Sequence, residues 1–345
     1  MTDARTTDSA PTAAARPATW PGLLLAVGCA AAAMGIRQLA PTVSPLLSAI
    51  LLGAVLANLA SLRGGLPGVL APGLAVASRR LLRLGVVLLG LQLGIGEVLA
   101  LGWPVVVGVV AIVGLTMAGT LGAGRLLGVG QDQSLLIASG FSICGAAAVA
   151  GVEGVLPRRR PEETAAAVAL VVLFGTAMIA VMPALTGALG LDQHLAGIWV
   201  GGATHEVAQV VAAAGIIGPA ALSSAVVVKL ARVLLLAPVL VVISWQQRGA
   251  AAGEGRTLPP LVPLFVAGFA AMVAIRSLGV VPDQVLAVAQ VVQSWLLAAA
   301  MFALGTSVHW QVVRRTGGRP VLLAAIATGI AIAIAGLVTW LASAA

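Results

Sequence analysis

The stretch Gly201-Gly202-Ala203-Thr204-His205-Glu206-Val207-Ala208-Gln209 sets a histidine and a glutamate side by side within a run of small and apolar residues. Two other apolar runs have the same character. Residues 226–238 read VVVKLARVLLLAP, with Lys229 and Arg232 three apart and so on one helical face. Residues 141–153 read FSICGAAAVAGVE. Ionisable groups at membrane depth are expensive and mark functional sites by default. Small residues at mid-run point to a helix that unwinds there, which lipid tolerates only where protein or a water-filled cavity covers the backbone. Broken helices are therefore expected in 133–156 and 196–217.

Composition extends this reading to the whole chain. Of 345 residues, 60% are apolar and 9% charged, against about 25% charged in an ordinary soluble domain. The mean hydropathy is +1.09. An all-α polytopic membrane protein follows. The net charge of +8 reflects basic residues gathering in cytoplasmic loops and calls for no nucleic-acid partner. Cys29 and Cys144 both lie in apolar stretches, so neither a disulfide framework nor a thiol metal site is expected. The 42 glycines suit closely packed transmembrane helices.

Residues 1–19 read as a disordered cytoplasmic tail and 20–343 as one transporter domain. Spans of about 20 apolar residues are expected at 20–40, 43–60, 81–100, 103–125, 164–186, 221–245, 258–276, 284–308 and 320–343. With the N-terminus inside, Arg63, Arg79, Arg80, Arg83, Arg125, Arg248, Arg256, Arg314, Arg315 and Arg319 fall on the cytoplasmic side, and Arg37 and Arg276 fall outside. The run Arg158-Arg159-Arg160 is the difficulty. It lies outside if both broken stretches cross fully, giving eleven spans, and inside if both are re-entrant, giving nine. Short matches at nearly one offset favour eleven: Leu52-Gly53-Ala54 with Gly201-Gly202-Ala203, Arg80 and Arg83 with Lys229 and Arg232, and Ala146-Ala147-Ala148 with Ala298-Ala299-Ala300. They divide the chain into one extra helix (20–40) and two inverted five-helix repeats with broken helices, 43–186 and 196–343, a plan shared by many secondary transporters.

Several residues could carry chemistry. A zinc-protease HExxH pattern fails because Gln209 stands where the second histidine belongs. A proton-coupling role for His205, Glu206 and Gln209 suits a histidine that titrates near neutral pH; the alternative is a polar patch pinning two helices. Lys229 and Arg232 lie too deep for snorkelling, and can either pair with Glu206 or present a positive site to an anion. Arg80 and Arg83 are their counterparts, or a cytoplasmic anchor. Ser142, Cys144, Gly145 and Ala146 would cradle the anion with N–H groups at a half-helix N-terminus, unless small-residue packing is their whole role. Glu153 is placed to face Arg158, while Asn58 and Gln92 are ligands or helix–helix hydrogen bonds. A phosphate-binding glycine loop and a nucleotide motif are lacking, so a primary pump is not expected, nor a cofactor or metal.

The segments 141–153, 204–215 and 226–238, with LLRLGVVLLGLQLG at 81–94, resemble the YeiH family of bacterial inner-membrane proteins, described as sulfate exporters. The similarity runs from about residue 20 to 343. It implies a multispan secondary transporter in the bacterial plasma membrane, related to the bile-acid and arsenite transporter superfamily. In that architecture the second broken crossover helix falls in 284–308, and 196–217 becomes an unbroken first helix of the second half. Gln92 stands where relatives often carry a basic residue, which bears on substrate charge. The leading expectation is a proton-coupled exporter of sulfate or a related sulfur oxyanion, with Lys229 and Arg232 supplying the positive field. The alternative is a cation/proton antiporter with Glu206 as its carboxylate. An enzyme would need a nucleophile or metal cluster that the sequence does not offer. The partners implied are a small anionic solute and the bilayer, with self-association left open.

Overall fold

The computed structural model describes residues 18–40, 43–156, 160–252, 263–308 and 316–344, with side chains described in all of these but 248–252. Residues 1–17 of the expected tail, Arg158, Arg159, Arg256, Arg314 and Arg315 lie outside them. Every regular element among the described residues is helical. The order is α1 (Trp20–Leu39), α2 (Pro45–Ser61), α3 (Ala71–Val76), α4 (Leu82–Leu89), α5 (Ile95–Leu99), α6 (Trp103–Leu127), α7 (Gln131–Ser142), α8 (Ala146–Glu153), α9 (Pro161–Ala188), α10 (Gln193–Ala203), α11 (Val207–Ile217), α12 (Pro219–Leu234), α13 (Leu236–Ala252), α14 (Leu264–Ser277), α15 (Asp283–Gly305) and α16 (Gly318–Ser343). Six segments are long and apolar enough to cross a bilayer, at 20–39, 103–127, 161–188, 219–247, 283–305 and 318–343.

Local chemistry explains several boundaries. Pro238 lacks the N–H that would bond Leu234 O, and the span from 219 bends between α12 and α13 at Leu235. The span expected at 81–100 sits about ten residues earlier. A 3-10 turn (Gly68–Leu70), α3, a π turn (Ala77–Leu81), α4 and a second 3-10 turn (Gly90–Gln92) form one helical run from 68 to 92. Arg79, Arg80 and Arg83 thus lie within that run rather than at its start.

The helices sort into two groups. One comprises α6, α7, α8, α9, α10, α11, α12 and α16, and the other α1, α2, the run 68–92, α14 and α15, each packing mainly within itself. Small residues allow the closest approaches. Gly53 lies against Phe302 O and Gly305 against Ile50 O where α2 meets α15, and Gly197 and Gly201 lie against Ala221 and Ala225 where α10 meets α12. Exposed apolar side chains such as Leu24, Val107, Val110, Val288 and Trp340 cover the outside, as suits a protein surrounded by lipid.

The two broken stretches overturn the expectation of eleven full crossings. Each folds back as a hairpin. Gly218, just past α11, lies against the Gln193 side chain at the start of α10, and Ala220 N–H donates to Gln193 Oε1 at 3.2 Å. Two eleven-residue helices laid end to end would separate those positions by roughly 35 Å. In the other stretch Gly140 of α7 packs on Val149 of α8. Arg160, paired with Glu163 at 2.8 Å, is also held in its charged form by the field of Asp132 at the start of α7. Arg160 therefore shares one end of the bundle with Asp132, and the charge difficulty at that position disappears. The same end carries Arg319, whose Nη1 lies near Gly128 at the close of α6. At the opposite end Arg276 pairs with Glu97 at 3.4 Å.

The placement of the second broken helix in 284–308 is corrected too. α15 runs unbroken from Asp283 to Gly305, whereas 193–217 breaks at Thr204, His205 and Glu206. Two of the three offset matches fall in unlike settings. Arg80 and Arg83 are exposed while Lys229 and Arg232 are fully buried, and Ala146–Ala148 open a half-helix while Ala298–Ala300 lie inside α15.

Single cysteines placed in a Cys29→Ser, Cys144→Ser background will test the hairpins. Asp192→Cys and Ala220→Cys should react with a membrane-impermeant maleimide from one side, and Asp132→Cys and Arg160→Cys from the other. Labelling of the last two from opposite sides would restore a full crossing.

Candidate functional site

A helix end leaves its last carbonyls without intrahelical partners, and burying them unpaired is costly. At the end of α7, Ile143 N–H donates to Ser139 O and Gly145 N–H to Gly140 O, which leaves the carbonyls of Phe141, Ser142 and Ile143. At the end of α10, Thr204 N–H donates to Val200 O. Lys229 and Arg232 of α12 supply what remains. Lys229 Nζ donates to Ile143 O at 2.7 Å and to Thr204 O at 2.9 Å. Arg232 donates through Nε and Nη2 to Ser142 O at 3.1 and 2.8 Å, and through Nη2 to Phe141 O at 3.0 Å. Its Nη1 reaches Gly201 O at 3.1 Å, Gly202 O at 2.8 Å and Thr204 O at 2.8 Å. Both side chains have no solvent exposure. Two cations thus bind the two hairpin tips together, at the negative ends of two half-helix dipoles.

The positive dipole ends meet Glu206. Its Oε1 accepts the Ala146 N–H that opens α8, at 2.9 Å. Its side chain also accepts the backbone N–H of Gln209, and Gln209 Oε1 accepts the Glu206 N–H at 3.1 Å, a reciprocal cap at the start of α11. Gly145 makes the approach possible. Its φ of +76° lies in the left-handed region that glycine tolerates, and a Cβ there would collide with the Glu206 side chain. His205 Nε2 shares a hydrogen bond of 3.1 Å with Thr328 Oγ1 of α16, and its ring lies 4.4 Å from that of Phe141. Gln209 packs against Gly175 of α9.

Between the two helix groups, beside the tips, is a small cavity of about 40 Å³. Cys144, Ala147, Glu206, Val207, Ala208 and Val233 line it from the tip side, and Leu46, Leu82, Val86, Leu89, Leu297 and Met301 from the other group. Among the described residues, Glu206 is the only acidic or basic side chain on its wall. Ala147, Val207 and Ala208 belong to the first turns of α8 and α11, whose amides have no intrahelical acceptor by helix geometry, and the wall they help to form is almost wholly apolar. A second small cavity of about 20 Å³ shares Leu82, Val86 and Ala147 with it, and is lined by Arg79, Arg83 and Glu153 near the arginine-rich end.

The structure brings together all nine residues singled out in the sequence: Ser142, Cys144, Gly145, Ala146, His205, Glu206, Gln209, Lys229 and Arg232. They divide in a way that spacing could not reveal. Lys229 and Arg232 spend their donors on carbonyls and stay off the cavity wall, the Ala146 amide is held by Glu206, and Cys144 reaches the wall itself. Glu153 pairs with Arg79 at 3.8 Å. Asn58 Nδ2 donates to Ala54 O and to Val308 O at 2.7 and 2.9 Å, joining α2 to the residues after α15. Gln92 is not on the cavity wall. Thr328 and the leucine and methionine wall escaped the sequence reading, because nothing distinguishes them from other apolar-span residues. The Glu206-x-x-Gln209 spacing was a legible helix-start signal.

Comparison with known proteins extends these observations. A family model described as "Conserved hypothetical protein 698" matches residues 21–324. A UPF0324 membrane protein of Corynebacterium glutamicum is 50% identical over 317 residues, covering 91% of this chain and 90% of the relative. A UPF0324 membrane protein of Bordetella bronchiseptica is 40% identical over 288 residues, covering 81% and 88%. One from Paracoccus pantotrophus named TauZ is 40% identical over 260 residues, covering 74% and 77%. No solved structure matches.

Gly145→Ala should destabilise the protein by roughly 2–4 kcal/mol, from the strained φ and the collision with Glu206. Gly114→Ala, with open space around it in α6, should stabilise by up to about 1 kcal/mol. Thermal melting of the purified proteins reads both, and equal melting temperatures would contradict the packed tip.

Proposed function

The chain belongs to the UPF0324 family of membrane proteins, the one its motifs resemble under the name YeiH, and from that premise we propose that it is a secondary active transporter of a small anion. The observation that carries this reading is the pair of hairpin tips beside a small cavity lined by first-turn residues of two half-helices, at the seam between two helix groups. Discontinuous helices with their N-terminal dipoles turned to an anionic solute are a recurring transporter device, and rocking one group against the other gives alternating access.

In this reading the solute is sulfate or a related sulfur oxyanion, and its direction is outward. Arg79, Arg80 and Arg83 favour its approach from the arginine-rich end, which is cytoplasmic by the charge rule. The N-terminus is then cytoplasmic, in the plasma membrane of a bacterial cell. The chain crosses nine times within one domain, by the six long helices, α2, the run 68–92 and α14. The inverted units are the two hairpins, one entering from each side.

Lys229 and Arg232 act on the solute through their field rather than by contact. With Glu206 ionised the tips hold one net positive charge, and Glu206 competes with the solute for amides. Protonating Glu206 weakens its hold on the Ala146 and Gln209 amides and raises the net charge by one, so anion and proton bind together. His205 and Gln209 hold the tip in which this occurs. A cation antiporter is disfavoured, because the carbonyls that would ligate a cation are already occupied by Lys229 and Arg232.

Flux into proteoliposomes, scanned with sulfate, sulfite, taurine, chloride and sodium, tests the proposal. Sulfur-oxyanion affinity should rise as pH falls, by at most about tenfold per pH unit for one linked proton. Glu206→Gln should retain anion exchange and lose that pH dependence. Sodium flux indifferent to the anion would reverse the assignment.

A further inference from the structure

The carbonyls of unwound segments and half-helix C-terminal ends are the usual ligands of free coupling cations such as sodium in transporters with discontinuous helices. In this protein the matching set is Phe141 O, Ser142 O and Ile143 O from one tip, with Gly201 O, Gly202 O and Thr204 O from the other. Every one of these six oxygens accepts from Lys229 or Arg232. The ammonium bridges one carbonyl from each tip, at 2.7 and 2.9 Å. The guanidinium fork spans both tips, as its planar array of donors allows. Both side chains come from α12, which is part of neither hairpin, so the cations cannot dissociate. A second observation points to oxygen ligands in reserve. Ser142 Oγ and Thr204 Oγ1, on the same two tips, are buried and lack hydrogen-bond partners.

We propose that Lys229 and Arg232 are the resident cations of a site that would otherwise hold a free monovalent metal ion. The tips therefore take up no sodium or potassium, and solute movement is indifferent to both. A chain without the Lys229 ammonium binds a free cation between Ile143 O and Thr204 O instead. This concerns the charge balance of the tips and holds whichever solute moves. Its test reads melting rather than flux, so its failure is separable from failure of the anion reading.

The experiment is thermal melting of the full-length chain in detergent, in sodium chloride, potassium chloride or choline chloride at equal ionic strength. Wild type and Lys229→Arg should melt alike in all three salts. Lys229→Ala should melt roughly 5–10 °C lower than wild type in choline, and recover at least half of that loss, saturably, in sodium or potassium. Lys229→Ala as stable as wild type in choline would overturn the proposal. So would a wild-type gain from sodium or potassium equal to that of Lys229→Ala. Failure to recover folded Lys229→Ala in any of the three salts would also overturn it, because no free cation then takes the vacated place.

Discussion

Two buried cations and six buried carbonyl oxygens each solve the other's solvation problem, and the rest of the structure depends on that exchange. A lysine and an arginine with no exposure cost several kcal/mol apiece unless charge-matched dipoles surround them. Broken helices within a bilayer are equally costly unless their freed carbonyls find donors. Lys229 and Arg232 meet both needs at once. The hairpins can therefore end at membrane depth, and they end against each other because one arginine reaches both.

The counterpart is Glu206, which takes the other pair of helix ends. One carboxylate accepts from the first amide of α8 and from the third residue of α11. Four half-helix dipoles are thus matched by three side chains of opposite sign. Gly145 is the steric condition for this arrangement, since any side chain there would occupy the volume of the Glu206 carboxyl. Such a network is rigid when complete. Glu206 is its one acid and, among the described residues, the one acidic or basic side chain on the cavity wall.

That cavity lies at the seam between the two helix groups. The helices holding the tips pack chiefly with one another, and the α2, α4 and α15 residues that complete the wall belong to the other group. The seam is apolar on the second side, where leucine and methionine side chains can slide without breaking hydrogen bonds. The hydrogen-bonded tips thus lie on one side of the seam and purely apolar packing on the other.

By itself, the sequence determined the membrane class and the two interrupted stretches, and it drew attention to nine residues that the fold gathers at or beside the tips. Apolar run length, small residues at mid-run and ionisable groups at depth are local properties that no packing can reverse. The direction of the chain after each interruption was not local. Whether 133–156 and 196–217 cross or return depends on contacts such as Gly140 with Val149 and Gly218 with Gln193, and apolar composition is the same in either case. Resemblance to a broader architecture moved the second break to 284–308, where α15 is continuous. The roles of the charges were also decided only in three dimensions. Lys229 and Arg232 could equally have faced a solute, and it was the carbonyls freed by breaks far away in sequence that claimed their donors, because an unpaired carbonyl in a low-dielectric interior leaves no cheaper alternative.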